Sequence, residues 1–290
     1  MAKKDIHDDK LTLGRVRRDI ADSLKTKYGE REASAMARVI MTTLKGWSLT
    51  ELLANEDREA SEFIKNSARD IVAQLMEDVP LQYALGKTSF FGLSLKVGPG
   101  VLIHRPETEE LVDLIVKENQ SPDLKVIDLC TGSGAIAIAL ARNLPFADVS
   151  AVDISQKAIE IAKENGDELK VKLNLEKEDI FKLDIEGENF DIMVSNPPYV
   201  DESEKSTMEA NVLKYEPHEA IFVKDDDPLL FYRRILELAK SGVKEGGKLY
   251  LEINPRHSQE LKRMMEDNGF EEVRIVKDVH GADRFATATV

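Results

Sequence analysis

The segment VSNPPYV, Val194–Val200, combines residue types that could hold a reacting group. Its two consecutive prolines end a strand, because neither can donate a ladder hydrogen bond. The Asn196 side-chain oxygen and the Pro197 carbonyl can each accept a hydrogen bond, and a planar NH₂ group presents two donors. Tyr199 can stack on such a flat group, with Pro198 beside it. The segment therefore predicts a binding site for a planar NH₂, either an amide or a nucleobase amine, although a simple strand stop followed by a turn has the same residues.

A glycine-rich turn precedes this segment. Residues 126–141, VIDLCTGSGAIAIALA, have the pattern of a buried strand, a turn and a helix. Gly132 and Gly134 allow a tight turn and the close approach of a ligand, and the first amides of the helix point back at the turn. The third glycine of the dinucleotide fingerprint is missing, since position 137 is alanine. Taken alone, the pattern is equally typical of an ordinary strand-to-helix turn.

Two aspartates strengthen the prediction of a cofactor site. Asp153 ends the next strand, 19 residues after Gly134, where a carboxylate can bind both hydroxyls of a ribose. The alternative is a helix N-cap, formed by Asp153 or Ser155. Asp128 lies near the carboxyl end of the first strand and could orient the glycine turn or meet an ammonium group of the cofactor.

The missing glycine favours a cofactor without phosphates, such as S-adenosylmethionine, which yields S-adenosylhomocysteine. Asp179 and Ile180 follow the third strand, where they could bind the amino group and the ring of adenine. Asp179 as a solvated loop acid is an equally good interpretation. We predict that the cofactor site consists of strand ends and the turn between them: Asp128, Cys130, Thr131, Gly132, Ser133, Gly134, Asp153, Asp179, Ile180 and Asn196.

Composition excludes several classes of protein. The 290 residues are 42% hydrophobic and 32% charged, which is typical of a soluble globular protein, and no apolar run is long enough to span a membrane. One cysteine permits no intramolecular disulfide, and one cysteine with five histidines argues against a Cys/His zinc cluster. The net charge of −14 argues against a protein that mainly binds nucleic acid. The N-terminus MAKKDIHDDK lacks the apolar core of a signal peptide, so we expect a cytoplasmic protein.

The first 85 residues are predicted to form a small helical bundle. Apolar residues recur at helical spacing from Leu13 to Leu75, Gly29 and Gly46 are plausible breaks, and Ser48 with Glu51 fits a capping box. This segment carries 14 basic and 15 acidic residues, whereas the remainder carries 26 and 39. The different charge balance of the two parts predicts two modules.

Residues 86–104 contain four glycines between short alternating stretches, which predicts a β-hairpin linker. From residue 105 to 290, helices and strands alternate, so we predict an α/β Rossmann-like domain with a mostly parallel seven-stranded sheet. The link His280–Asp283 is too short for a parallel crossover, so the last strand must be antiparallel. The predicted strands are 124–129, 148–154, 169–175, 190–195, 248–253, 272–279 and 284–290.

The chain resembles the release-factor glutamine N5-methyltransferases, the PrmC/HemK family. The resemblance rests on VSNPPYV, DLCTGSGAIAIALA, PLQYALGKTSFFGLSLKVGPGVLIHRPETEELV and DRFA, and it spans most of residues 80–290. Asn-Pro-Pro-Tyr is shared with enzymes that methylate amino groups of DNA. The segments around Pro80–Gly86 and Arg105–Glu109 are more particular to the family, and the second favours the release-factor branch over the ribosomal-protein glutamine methyltransferases.

The resemblance implies a protein substrate, the glutamine in the Gly-Gly-Gln loop of peptide-chain release factors. Asn196 and Pro197 would hold its amide in catalysis, and Tyr199 and Phe90 would enclose its side chain. Arg105 and Glu107 would shape the peptide site, unless they form a surface salt bridge. The helical front domain would dock the substrate protein, and the enzyme would act as a monomer without direct contact to nucleic acid or membrane.

Three positions depart from the pattern of the family. Cys130 replaces a glycine and reads as a buried apolar filler. His104 replaces a proline, so we expect a less rigid exit from the hairpin, and Asn254 replaces a glycine that it can imitate in a left-handed turn. Two other functions stay open at this point: methylation of adenine or cytosine amino groups in nucleic acid, and a helical adaptor fused to an inactive methyltransferase domain.

Overall fold

The structure, a computed structural model, describes residues 11–290. The segment MAKKDIHDDK, on which the expectation about a signal peptide rests, lies outside the described residues. The chain divides into two compact units after Gly86. Among residues 11–290, no helix has the length and apolar character needed to cross a membrane.

The first unit is helical in the part of it that is described. Thr12, Ser48 and Ser61 cap three of its helices with their hydroxyl groups, and Ser48 forms the predicted capping box with Glu51. Gly29 separates the first two helices, and Gly46 ends the second in a left-handed conformation. The helices are α1 (Leu13–Tyr28), α2 (Glu30–Lys45), α3 (Leu49–Ala54), α4 (Glu62–Met76) and α5 (Leu81–Leu85).

The core of the first unit forms from the residues that the helical periodicity identified. Leu24, Ile40 and Leu75, from three different helices, are fully buried in one cluster. Burying such side chains contributes about 1.5–3 kcal/mol each, so these three faces hold the bundle together.

The second unit begins with the hairpin and continues into an α/β domain. Residues 87–104 of the predicted linker belong to this unit, whereas Gly86 belongs to the first. Its helices are α6 (Pro106–Glu118), α7 (Ala135–Asn143), α8 (Gln156–Leu169), α9 (Ala210–Tyr215), α10 (Leu230–Gly242) and α11 (Ser258–Asp267). Its strands are β1 (Lys87–Phe90), β2 (Leu93–Lys96), β3 (Lys125–Leu129), β4 (Asp148–Asp153), β5 (Asn174–Lys177), β6 (Phe190–Ser195), β7 (Val200–Asp201), β8 (Phe222–Val223), β9 (Val243–Glu252), β10 (Glu271–Lys277) and β11 (Asp283–Thr289).

Seven of these strands form the predicted sheet, in the order β10-β11-β9-β6-β3-β4-β5. The four central pairings are parallel, and β11 is antiparallel to both of its neighbours, β10 and β9. The Rossmann-like architecture and its antiparallel last strand are therefore confirmed. Both faces carry buried apolar clusters, because helices cover a parallel sheet on each side.

The third strand of the α/β domain lies later than predicted. The alternation at 169–175 indicated a strand, but α8 continues to Leu169 and ends at Lys170 in a left-handed conformation. Leu169, Val171 and Leu173 pack partly buried against the core, so the apolar alternation reflects the packing of a connection. The strand itself is Asn174–Lys177, paired with β4.

The hairpin β1-β2 is fixed to the glycine turn through one buried side chain. Asn165 on α8 accepts a hydrogen bond from the Lys96 amide at 2.6 Å and donates to the carbonyls of Lys96 and Ser133 at 3.0 and 2.9 Å. Because Ser133 belongs to the turn between β3 and α7, the hairpin, the turn and α8 form one connected support.

Candidate active site

A cavity of about 260 Å³ lies at the carboxyl ends of the central strands. Cys130 and Gly132 follow β3, Asp153 ends β4, Asp179 follows β5 and Asn196 follows β6, and all five line the cavity. Ligands of open α/β sheets bind at this edge. The structure thus brings the predicted glycine turn, the acids and the amide to one site.

The turn after β3 is built from residues in left-handed conformations. Cys130, Gly132 and Gly134 have φ values of +62°, +57° and +78°. A Cβ at Gly134 would lie 3.0 Å from the Cβ of Ala162 on α8, so this position also needs glycine for space. Cys130 adopts a left-handed conformation, which costs an L-residue about 1–2 kcal/mol. This cost explains why a glycine suits the position. The turn nevertheless forms with cysteine there.

Asp128 holds the turn from beneath. Its Oδ2 accepts hydrogen bonds from the Thr131 hydroxyl at 2.6 Å and from the Ala137 amide at 3.2 Å. Of the two roles predicted for Asp128, the structure shows the first, orientation of the glycine turn. The residue is fully buried, and burial raises the pKa of its carboxyl to about 7.

We expect Asp128→Asn to change how stability depends on pH. The folded protein retains the Asp128 proton up to about pH 7, whereas the unfolded chain loses it near 3.8. Because the folded state binds the extra proton in this window, the contribution of Asp128 to wild-type stability falls as pH rises from about 4 to about 7. Asparagine has no proton to lose in this range. The free energy of unfolding of the variant, relative to that of the wild type, should therefore rise by up to about 4 kcal/mol across this window.

Urea unfolding of both proteins at several pH values between 4 and 8 measures this difference. Measuring the difference between the two proteins cancels the contributions of the other titrating groups. A constant difference in free energy of unfolding across the range would contradict the prediction.

Asp153 supports the glycine turn from the end of β4, and the N-cap of α8 is Ser155 and not Asp153. The Oδ2 of Asp153 accepts a hydrogen bond from the Gly132 amide at 2.8 Å, and its Oδ1 accepts one from the Ser155 amide at 2.9 Å. Ser155 caps α8 with its own hydroxyl. Each carboxylate oxygen keeps a second lone pair, and the residue lines the cavity, so it can also bind a ligand's hydroxyl groups. Burial raises the pKa of Asp153.

Asp179 and Ile180 lie in a turn that also lines the cavity. One oxygen of Asp179 accepts a hydrogen bond from the Phe181 amide at 3.0 Å. Two aromatic residues that sequence reasoning missed complete this wall: the rings of Phe181 and Phe231 meet edge to face at 5.4 Å. Phe181 directly follows Ile180, which could have identified it, whereas no local signal marks Phe231.

Arg234 on α10 fixes this turn. Its guanidinium donates to the carbonyls of Ile180 and Leu183 at 2.9 and 2.7 Å. It therefore satisfies two backbone acceptors of an irregular segment. Sequence reasoning did not identify Arg234, because its partners lie more than 50 residues away in the chain.

The Asn-Pro-Pro-Tyr segment follows β6. Asn196 and Pro198 line the cavity, and no described residue forms a hydrogen bond with the Asn196 side chain. Tyr199 is half-buried, and its hydroxyl donates to Glu252 at 2.9 Å. Burial and the Glu252 charge raise the pKa of the Tyr199 phenol, so the hydroxyl keeps its proton. Pro197 is buried within the same turn.

The structure places Phe90 away from the cavity. Phe90 is fully buried in the core beneath the hairpin, so the expectation that it encloses a substrate side chain is not supported. That expectation rested on the resemblance, which does not define what packs against this ring. His104 contacts the Phe90 ring edge to face at 4.5 Å, and its Nε2 lies 2.9 Å from the Ser89 carbonyl. The exit of the hairpin is thus attached to β1 rather than loosened by the histidine.

Arg105 forms an ion pair instead of standing free in the cleft. Its guanidinium lies 2.9 Å from Glu216, whose side chain is only 1% exposed. The same carboxylate accepts a hydrogen bond from the Ile103 amide at 3.1 Å. Glu107 is half-buried in the first turn of α6. The pair attaches the start of α6 to the segment between β7 and β8, which is a structural role close to the salt bridge considered from the sequence.

We expect Arg105→Ala to lower the free energy of unfolding by about 2 kcal/mol, because it leaves a buried carboxylate without its cation. The loss is smaller than for a fully buried pair, because the arginine is partly exposed to solvent. Denaturant titration provides the measurement. Arg233→Ala removes an exposed pair with Asp227 and is the matched control, with an expected loss of about 0.5 kcal/mol or less. Equal losses in both variants would contradict the assignment of Glu216 as a buried partner.

The comparisons with known proteins agree with this geometry. A family model described as "PrmC N-terminal domain" matches residues 15–86, and one described as "Methyltransferase domain" matches residues 120–285. A release factor glutamine methyltransferase of Bacteroides thetaiotaomicron is 45% identical over 278 residues, covering 95% of this chain and 99% of the relative. One of Flavobacterium psychrophilum is 40% identical, covering 94% and 98%.

Among solved structures, a methyltransferase from Pyrococcus furiosus shares the fold. It superimposes with a TM-score of 0.51 at 21% identity and covers 75% of this chain and 95% of its own. At this identity the likeness supports the fold alone.

Proposed function

The chain belongs to the family of release factor glutamine methyltransferases, and from that premise we propose that it methylates the N5 nitrogen of the glutamine in the Gly-Gly-Gln loop of peptide-chain release factors. The enzyme is S-adenosylmethionine-dependent. The observation that carries the proposal is the Asn196 amide: it has no hydrogen-bond partner among the described residues, and it lines the same cavity as Asp153 and the glycine turn.

The residues around the cavity fit the cofactor. Gly132 has open space where a Cβ would stand, so a ligand can approach the turn closely. We assign the ribose hydroxyls to Asp153 and the adenine to Asp179 and Ile180, with Phe181 and Phe231 beside it. When bound, the cofactor would supply a methyl group on a sulfonium and would leave as S-adenosylhomocysteine, with the electron pair of the broken bond on sulfur.

In this proposal the protein positions the substrate amide. The Asn196 side-chain oxygen and the Pro197 carbonyl accept the two hydrogens of the glutamine NH₂, and the Tyr199 ring lies against its plane. The nitrogen lone pair of an amide is delocalised into the carbonyl, which makes it a weak nucleophile. Fixed geometry can contribute about 7–11 kcal/mol to such a reaction, so alignment is the main source of rate.

Charge stabilisation completes the mechanism. Positive charge grows on the nitrogen as the new bond to carbon forms, and the two accepting oxygens favour that charge. The nitrogen then releases one proton to solvent. No strong base is needed at the nitrogen, because its acidity rises once it carries the methyl group and the positive charge.

The remaining features of the enzyme are proposals of the same kind. We assign the N-terminal segment 1–85, which is helical in its described residues 11–85, to docking of the release factor, and we expect a cytoplasmic monomer that makes no direct contact with nucleic acid. Gel filtration of the purified enzyme alone and with a release factor tests the oligomeric state and the docking.

Incubation with labelled S-adenosylmethionine and purified release factor, followed by mass mapping of the product, tests the proposed function. We expect a single added methyl group on the glutamine of Gly-Gly-Gln. A release factor with that glutamine replaced by alanine is the matched control and should stay unlabelled. Duplex and single-stranded DNA form the third arm. Label on DNA, or on another residue of the release factor, would overturn the proposal.

A further inference from the structure

Glu252 is a buried carboxylate at the end of β9, beside the Asn-Pro-Pro-Tyr segment. It is 1% exposed, and each of its carboxylate oxygens accepts one hydrogen bond. The Tyr199 hydroxyl donates to Oε1 at 2.9 Å, and the Thr108 hydroxyl donates to Oε2 at 2.8 Å. Buried charges are costly unless they are fully bonded, so this carboxylate fixes the positions of both hydroxyl groups.

Asn254, two residues later, holds the other end of Tyr199. Its Nδ2 donates to the Tyr199 carbonyl at 3.1 Å and to a Glu204 carboxylate oxygen at 2.8 Å. Asn254 has φ −74° and ψ 124°, so it does not adopt the left-handed turn expected from the sequence. Its side chain instead makes a contact that glycine could not make. The end of β9 thus binds Tyr199 through its ring hydroxyl and through its backbone.

We propose that Glu252 is a positioning residue for methyl transfer, which acts by fixing the Tyr199 ring against the carboxamide site. The inference rests on the proposed function, in which that ring lies on the glutamine amide. Since the Tyr199 hydroxyl is committed to Glu252, the face of the ring, and not its hydroxyl, meets the substrate. Thr108 belongs to the Arg-Pro-Glu-Thr segment and donates a hydrogen bond to the second oxygen of Glu252. This segment therefore helps to fix the Glu252 carboxylate.

Tyr199→Phe and Glu252→Gln test the inference, singly and together. Phenylalanine keeps the ring and removes its hydrogen bond, and glutamine replaces one accepting oxygen by a donor. Each single variant should lower kcat on the order of tenfold or more, because misplacement by about 1 Å can cost a hundredfold. The KM for release factor and the cofactor Kd should each change by less than about twofold. The double variant should be no slower than the slower single one, since both changes break the same contact.

Tyr232→Phe is the matched control. The Tyr232 hydroxyl donates to the backbone carbonyl of Glu252 at 3.0 Å, so the variant makes the same chemical change one contact away and leaves the carboxylate untouched. Its kcat should stay within about twofold of wild type even if its melting temperature falls, because a net hydrogen bond is worth about 1 kcal/mol of stability.

The inference would be overturned if the losses of kcat in Tyr199→Phe and Glu252→Gln multiplied in the double variant, because the two changes would then act independently. A wild-type kcat in Tyr199→Phe would also overturn it. If Glu252→Gln does not fold, the kcat values of Tyr199→Phe and Tyr232→Phe are sufficient to test the inference. Equal kcat values in these two variants would refute the positioning role of Glu252. Failure of the proposed function is a separate result, because wild-type enzyme would then leave the Gly-Gly-Gln glutamine unlabelled.

Discussion

Replacement of Asn196 by alanine is expected to lower kcat by about 10³-fold or more, while the Kd of S-adenosylmethionine changes by less than about threefold. The amide has no hydrogen-bond partner among the described residues and lines the cavity. Removing a single group that stabilises transition-state charge costs about 10²–10³ in rate, and loss of alignment adds to this. Cofactor affinity should persist, because the glycine turn and Asp153 are unchanged.

Single-turnover methylation of a release factor and titration calorimetry with the cofactor measure the two quantities on the same preparation. Asn196→Asp is the matched comparison: it keeps an accepting oxygen at the same place and should retain more activity than the alanine variant. An equal loss of turnover and cofactor affinity in Asn196→Ala would mean that the side chain supports the cavity and does not hold the substrate.

Asp153→Ala should have the opposite signature, with cofactor Kd raised about 100-fold and kcat at saturating cofactor within about threefold of wild type. Two hydrogen bonds to a charged acceptor contribute about 1.5–3 kcal/mol each. Their sum is enough for a roughly 100-fold change in Kd, even if water replaces part of the lost interaction in the variant. The variant also leaves the Gly132 and Ser155 amides without their acceptor, so part of the loss comes from a less ordered turn.

Calorimetry with S-adenosylmethionine and with S-adenosylhomocysteine measures the effect. Asp153→Asn is the control, because it keeps one accepting oxygen and should show an intermediate Kd. If Asp153→Ala lowered kcat at saturating cofactor as strongly as Asn196→Ala does, Asp153 would belong to the reacting centre and not to the ribose site.

The sequence was sufficient to predict the features that depend on local pattern. Proline at 197 and 198 ended β6, the capping box at Ser48 started α3, and the short link before Asp283 required an antiparallel strand. Each of these follows from backbone chemistry within a few residues. The position of functional groups at strand ends followed from the same patterns, since parallel strands share one carboxyl edge.

Features that depend on packing could not be predicted from the sequence. The resemblance implied that Phe90 encloses the substrate side chain, but its ring is buried in the core cluster that the hairpin shares with α6, α7 and the sheet. Glu252, Arg234 and Phe231 were missed, because their partners come from distant segments. Arg105 was placed near the substrate, but its cation is committed to Glu216, a pairing of residues 111 positions apart.

The narrow gap between Gly134 and Ala162 has a consequence for engineering. Residue 162 lies on the inner side of α8, where a longer side chain would enter the space occupied by the turn. Libraries designed to accept enlarged cofactor analogues should therefore hold positions 134 and 162 constant and vary the aromatic wall at 181 and 231 instead. Room for a bulkier nucleoside has to be made at these two aromatic side chains, which line the cavity.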